Sequence, residues 1–63
     1  MSSQASFFAS GTANDGIALG RAITGAIRRC KLAGYDGGII VQAGIGGYSG
    51  EFTAYAVAEC YEK

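Results

Sequence analysis

Hydrophobic and polar positions alternate with period two near the end of the chain. In Glu51–Tyr61, one set of alternate positions is mostly small and apolar: Phe52, Ala54, Ala56, Ala58 and Cys60. The other set holds Thr53, Tyr55, Val57, Glu59 and Tyr61. Because successive side chains of a strand point to opposite faces, this pattern predicts a strand with one face suited to close packing. The second face is aromatic and hydrogen-bonding, and it suits a partner or a ligand better than open water.

Two further segments are typical of strands. Ser3–Ser10 alternates, with Ala5, Phe7 and Ala9 sharing a face, and Gly11 ends it. The β-branched run Ile39–Ala43 favours a third strand. Unbroken alternation there would place Ile39, Val41, Ala43 and Ile45 on one face, and Ile40 and Gln42 on the other. The glycine-rich segment Gly44–Gly50 then connects this run to the last strand as a plain hairpin connection; a backbone site for an anion is the less favoured alternative.

A helical stripe occupies the middle of the chain. Its apolar residues recur at spacings of three and four: Leu19, Ala22, Ile23, Ala26, Ile27, Cys30 and Ala33. We expect the helix to begin with Thr12 as its N-cap, with Asn14 as the rival cap, and to stop at a left-handed Gly34. Gly20 and Gly25 inside the helix each cost roughly 1 kcal/mol relative to Ala. That cost predicts that another backbone or a ligand comes close to them.

The order strand, helix, strand, strand predicts a single α+β domain over residues 1–63, with a three-stranded antiparallel sheet packed on one helix. One helix covers only one face of such a sheet. The uncovered face would carry an apolar set that a monomer rarely exposes: Phe8, Ile40, Tyr55, Val57 and Tyr61. We therefore expect another copy of the chain, a ligand or both to cover it, so that the protein is a homo-oligomer.

Size and charge narrow the classes of function. A core formed by 63 residues typically contributes no more than ~3–5 kcal/mol, which again favours self-association. The net charge is zero, so nucleic acid is an unlikely partner, although four of the five basic residues crowd into positions 21–31 and could form a local positive patch. We read no signal peptide and no apolar run long enough to span a membrane. The expected location is the cytoplasm.

The chemistry available for metal binding or catalysis is sparse. The chain has no His, and its two cysteines have no nearby ligands for a metal. Cys30 and Cys60 can form one disulfide, but both lie on apolar faces, and we expect buried free thiols. We expect no enzyme activity, because no base, nucleophile elbow or carboxylate pair is recognisable. Catalysis would need an arrangement across subunits, such as Asp15 or Asp36 beside Cys30.

Candidate binding residues follow from the two predicted faces. Tyr rings offer a flat apolar surface with one hydrogen-bonding tip, so Tyr55 and Tyr61 are expected to stack on or line a ligand. Gln42 and Thr53 would supply hydrogen bonds, and Arg28 or Arg29 would meet a negative group. The remaining candidate is Tyr48, at the predicted hairpin tip. Ordinary interface packing for the tyrosines and a solvated surface for the basic helix are the alternatives.

The topology and Gly11-Thr12 before an alanine-rich helix resemble dodecin, a family of small flavin-binding proteins. Dodecins wrap a long hairpin around one helix and assemble into hollow shells that hold flavin between subunits. They stack flavin on a tryptophan shortly after the helix, whereas this chain has no Trp and reads Gly38–Val41 in the corresponding region. The resemblance implies assembly through the sheet and a ligand site between subunits, and no binding residue is carried over.

These observations favour a non-enzymatic homo-oligomer that stores or sequesters a planar or nucleotide-like ligand, with flavin or a nucleotide as candidate cofactors. The alternative is a small protein-binding module or inhibitor, for which a viral origin would fit. It would use the tyrosine-rich face or the Tyr48 loop. Loss of assembly or loss of ligand on replacing Tyr55 would separate these two classes.

Overall fold

The computed structural model describes residues 3–12, 15–48 and 51–62. It contains strand β1 (Ser3–Thr12), helix α1 (Asp15–Leu32), strand β2 (Gly37–Tyr48) and strand β3 (Glu51–Tyr61). The sheet order is β1-β3-β2, both pairings are antiparallel, and α1 packs on one face. The predicted α+β fold, with three antiparallel strands on one helix, is therefore confirmed.

The core consists almost entirely of alanine. Its fully or nearly fully buried residues are Ala18, Ala22, Ala26 and Cys30 on the helix, and Ala54, Ala56, Ala58 and Cys60 on β3. The six alanines of this set are called the alanine seam below. Every fourth helix residue rises about 6 Å and every second strand residue about 6.7 Å, so the two series stay nearly level with each other along the contact. Larger side chains, including Phe7, Leu19 and Ile23, pack around its margins.

A disulfide closes the C-terminal end of the seam. Cys30 and Cys60 are bonded across a sequence separation of 30 residues, with their Cα atoms 5.3 Å apart. The expectation of free thiols is therefore wrong. The apolar pattern correctly predicted that both cysteines are buried. It did not show how close Cys30 of the helix lies to Cys60 of the strand.

The helix ends as predicted, and it begins at Asp15, later than the favoured N-cap Thr12 predicts. Gly34 has φ of 99°, and its N–H donates to the Lys31 carbonyl, while the Tyr35 N–H donates to the Cys30 carbonyl. These two bonds form a Schellman motif, the common left-handed helix stop. At the other end Thr12 is the last residue of β1 and so is not the N-cap, and Asn14 lies outside the described residues. Ala33 is exposed, whereas the unpredicted Ala18 is buried.

A β-bulge changes which residues of β2 face the helix. The register shifts between Ile40 and Gln42, so Val41 is an extra residue. Ile40 consequently pairs with Ala58 and packs against the core, and its predicted place on the uncovered face is wrong. Ile39 takes that place, since it pairs with Glu59 and is 63% exposed. The prediction assumed unbroken alternation along β2, and such an assumption misses a bulge.

The glycine-rich segment is mostly strand. Gly44, Gly46 and Gly47 pair with β3 residues as part of β2, so these residues do not form the alternative anion-binding loop. Gly47 has φ of 146°, and a Cβ there would collide with the backbone of Glu51 and Phe52. Glycine is therefore needed at position 47, next to the end of the hairpin.

We expect the disulfide to contribute a large share of the stability. Replacing both Cys30 and Cys60 by Ala should lower the free energy of unfolding by about 3 to 4 kcal/mol, as estimated for an unfolded loop of this size. Urea denaturation followed by circular dichroism measures the change. Addition of a reductant should destabilise the parent by a similar amount and leave the double variant unchanged. Equal stability of the two proteins would contradict the estimate.

The two helix glycines should respond oppositely to alanine. A Cβ at Gly25 would collide with the Phe7 ring, whereas a Cβ at Gly20 would meet nothing within 4 Å. Gly20→Ala should therefore raise the free energy of unfolding by about 0.5–1 kcal/mol. Gly25→Ala should lower it, since overpacking typically costs about 1–3 kcal/mol. Denaturation at a concentration too low for association measures both, and a destabilised Gly20→Ala protein would contradict the comparison.

Candidate functional site

The outer face is the side of the sheet turned away from the helix. In antiparallel pairs, residues directly opposite each other share a face, so the register assigns its members. Tyr55 lies between Phe8 of β1 and Gly44 of β2, and Glu59 lies between Gln4 and Ile39. As predicted, helix α1 covers only the opposite face. Phe8 is 69% exposed and Tyr61 is 41% exposed on this outer side.

Two tyrosines of β3 lean across glycines of the neighbouring β2 strand. A Cβ at Gly44 would lie 2.5 Å from Cε1 and 2.9 Å from Oη of Tyr55. A Cβ at Gly37 would lie 2.8 Å from Oη of Tyr61, and Gly37 is itself buried. Each ring thus occupies the space that a side chain on β2 would take. A ring held against backbone on one side has its other side turned away from the sheet.

The aromatic platform is the group formed by Phe8, Tyr55, Gln42 and Thr53 on the outer face. The Phe8 and Tyr55 ring centroids lie 6.1 Å apart, with their planes tilted by 40°. The Gln42 Nε2 atom donates a long hydrogen bond of 3.4 Å to the Tyr55 hydroxyl. Thr53 is exposed two residues from Tyr55 on the same strand face. The structure therefore brings Tyr55 and Gln42 into contact, places Thr53 farther along the same face, and adds Phe8 as a second ring.

The other predicted tyrosine lies at a separate place. Tyr61 follows Tyr55 by six residues, a distance of about 20 Å along a strand. Its surroundings form a shallow pocket of ≈ 170 Å³, here called the Tyr61 pocket, lined by Ile39, Val41, Glu59, Cys60 and Tyr61. Within one chain, a small ligand cannot contact both tyrosine rings at once. The alternation of β3 showed correctly that they share a face, but not that a ligand could reach both.

The basic residues lie on the helix side of the sheet. The Arg29 guanidinium carbon is 5.1 Å from the centroid of the Phe7 ring, a cation–π geometry. Arg21 donates a hydrogen bond of 3.2 Å to the Ser10 carbonyl of β1. Arg28 instead lines an open concavity of ≈ 260 Å³ with Thr24, Ile27 and Lys31. Within one chain, Arg28 and Arg29 therefore lie away from the aromatic platform, although they were predicted to belong to the same site as Tyr55.

Charge is segregated between helix and sheet. After Asp15 at its start, every charged residue of α1 is basic, whereas the only charged residues of the three strands are Glu51 and Glu59. Both glutamates are an even number of residues away from Tyr55 and Tyr61, so they lie on the same face of β3. The outer face of a single chain thus offers an anionic ligand no basic side chain among the described residues.

Two other candidates can be placed only in part, and a third is excluded. Tyr48 is the last residue of β2, and its side chain lies outside the described part of the chain. The side chain of Asp15 also lies outside the described part. Cys30 is buried and disulfide-bonded, so it offers no thiolate for the cross-subunit chemistry considered above.

The position of the two rings can be tested by NMR. We expect the α protons of Gly44 and Gly37 to be shifted by the rings of Tyr55 and Tyr61, because each ring lies against its glycine. Tyr55→Ala should move the Gly44 signal towards its random-coil position and leave Gly37 unchanged. Tyr61→Ala should do the reverse, so each variant is the control for the other. Unchanged glycine signals in both variants would show that the rings lie elsewhere.

Comparison with known proteins adds no family to this geometry. The chain matches no protein-family model, no curated protein and no solved structure. Over the described ranges 3–12, 15–48 and 51–62, no helix is both long and apolar enough to cross a membrane. The same residues contain no group of three or more His, Cys, Asp or Glu side chains placed to hold a metal ion. The resemblance to dodecin stays a prediction.

Proposed function

We propose that this protein is a non-enzymatic homo-oligomer that holds a planar small molecule on the aromatic platform, and so stores or sequesters it. The observation that carries the proposal is the Tyr55 ring, which lies across Gly44 and is flanked by the exposed Phe8 ring. A flat ring supported by backbone loses little conformational freedom when a second ring stacks on it. Gln42 and Thr53 stand beside that surface as hydrogen-bonding groups.

The class of ligand follows from the groups around the platform. Tyr and Phe rings stack on any flat heteroaromatic system, and the amide of Gln42 can donate and accept hydrogen bonds at its edge. A flavin or a nucleobase has this combination of flat ring and polar edge. If the ligand also carries a phosphate, the basic group that meets it belongs to a second copy, because the described residues on the outer face of one chain include no basic side chain.

The proposed location changes with the disulfide. Disulfides persist in oxidising surroundings and are rare where thiols are kept reduced. The Cys30–Cys60 bond joins the helix to the central strand of a core that otherwise consists of alanines. We therefore place the working protein in an oxidising environment rather than in the cytoplasm that the composition favoured.

Ligand binding is tested with defined planar probes. Riboflavin, flavin mononucleotide and adenosine monophosphate are titrated into the oxidised protein and followed by fluorescence or calorimetry. At least one should bind, and Tyr55→Ala should weaken it roughly ten- to hundredfold, as expected for loss of one stacking partner. Tyr61→Ala is the matched control, since it removes the same side chain about 20 Å away on the same face.

The outcomes of this titration separate the two classes of function. Equal effects of the two variants would show that the platform is not the site. Absence of binding of any probe, together with native mass spectra free of retained small molecules, would leave the protein-docking alternative. Native mass spectrometry of gently purified protein also reports the number of subunits in the same measurement.

A further inference from the structure

The helix presents a second uncovered surface on the opposite side of the molecule from the platform. Most of its exposed residues form one strip along α1: Ile17, Gly20, Arg21, Thr24, Arg28 and Lys31. Arg21 is bonded to the Ser10 carbonyl. Arg28 and Lys31, in contrast, stand around the open concavity and have no carboxylate partner within the described residues. Their charges are therefore available to another molecule.

The disulfide fixes which end of the sheet lies behind this basic end of the helix. Helix α1 follows β1 and runs back along the sheet, so it is parallel to β3, the strand antiparallel to β1. The Cys30–Cys60 bond holds the C-terminal ends of α1 and β3 at one level. Arg28 and Lys31, close to Cys30, are thus level with Glu59 and Tyr61 on the far side of the sheet.

Counting back along the helix and the strand from the disulfide places Gly20 level with Tyr55. Gly20 precedes Cys30 by ten residues, about 15 Å of helix, and Tyr55 precedes Cys60 by five residues, about 17 Å of strand. Gly20 is exposed, and a Cβ there would meet nothing in this chain. Glycine at this position has no intramolecular explanation, whereas Gly25 is explained by the Phe7 ring.

We propose that copies of this chain associate head to tail, the exposed strip of one helix docking on the outer face of the next copy's sheet. Arg28 and Lys31 then lie over Glu59, and Gly20 lies over the Tyr55 ring. This arrangement deepens the proposed function. The association itself does not rest on that function, whereas the ligand site does. The ligand slot is the space between Tyr55 of one copy and the helix backbone at Gly20 of the next. Arg28, predicted for the site but absent from the outer face of its own chain, is brought to that face by the neighbouring subunit, about 13 Å along the strand from Tyr55.

Charge decides between this arrangement and the two symmetric ones. Pairing outer face with outer face would bring carboxylates together, and pairing the basic strips of two helices would bring cations together. Placing the helix strip on the sheet joins opposite charges. Exposed ion pairs contribute little affinity but select orientation and partner, and like charges placed together are strongly unfavourable. The affinity comes from apolar side chains at this end, among which Leu32 is 81% exposed and Ile39 63% exposed.

The interface is heterologous, because each copy uses two different surfaces. Such contacts close into a ring if the rotation between copies allows it and otherwise continue as an open filament. Either product contains identical slots, each with a Tyr55 ring from one copy and a glycine of the helix from the next.

The test is a charge exchange between two exposed positions. Arg28→Glu and Glu59→Arg each place like charges across the interface, and each should weaken association at least ~10-fold. The double variant, with both changes in one chain, should associate as the parent does. A mixture of the two single variants should also associate, because each supplies the surface that the other lacks. Multi-angle light scattering without ligand, and native mass spectrometry, report the assembled mass.

Matched controls keep the result interpretable. Glu51→Arg makes the same change in charge on the same strand face, but about 26 Å from Glu59, and should associate as the parent does. Gly20→Ala should weaken probe binding to the assembled protein although it stabilises the folded monomer, because its methyl group enters the slot. Circular dichroism confirms that each variant is folded. Opposite changes in stability and probe binding cannot come from misfolding.

Each outcome has one consequence. A monomeric parent, an Arg28→Glu protein that associates normally, or equal effects of Glu59→Arg and Glu51→Arg would overturn the head-to-tail arrangement. A planar probe that binds a monomeric variant as tightly as the parent would overturn the shared slot, while the proposed ligand class would stand. Association as described without binding of any probe would support the interface and refute the proposed function instead.

Discussion

The rest of the structure depends on the contact between two rows of alanine. With only methyl groups between them, helix α1 and strand β3 can approach more closely than a helix and sheet separated by leucine or phenylalanine. The matching rise of four helix residues and two strand residues lets this contact continue along most of the helix. The contact also removes little apolar surface from water per residue, so it stabilises the fold weakly at about 25 cal/mol per Å². The disulfide at its end supplies what so small a core lacks.

The alanine seam determines where the large side chains go. A core filled by methyl groups has no room for most of the aromatic rings, and these lie at its margins or on the outer face. Phe7 takes the space above Gly25, and Arg29 covers that ring from the helix side. Tyr55 and Tyr61 fold over glycines of β2 instead. An outer surface rich in flat rings is thus a physical consequence of the way the core is built.

Charge segregation follows from the same arrangement. The basic side chains of residues 16–32 lie on α1, which packs on one face of the sheet. The carboxylates within the strands lie on β3 and belong to the opposite face. The chain is neutral as a whole, yet its two large surfaces carry opposite signs. The proposed head-to-tail contact would satisfy both surfaces of such a molecule with copies of itself. It would also bring Arg28 of one copy to the tyrosine-bearing face of the next.

The sequence by itself determined the elements and most of their faces. Period-two alternation defined Glu51–Tyr61 to the residue, and the Gly34 stop was visible because only glycine takes a left-handed turn freely. Tertiary structure alone decided three features. The bulge at Val41 moved Ile40 into the core and Ile39 out of it, because one extra residue inverts the alternation that precedes it. Likewise, the distance between Cys30 and Cys60, and the separation of Tyr55 from Arg28, depend on how elements pack. Periodicity reports which face a residue takes, whereas only packing sets how far apart two residues on different faces or levels lie.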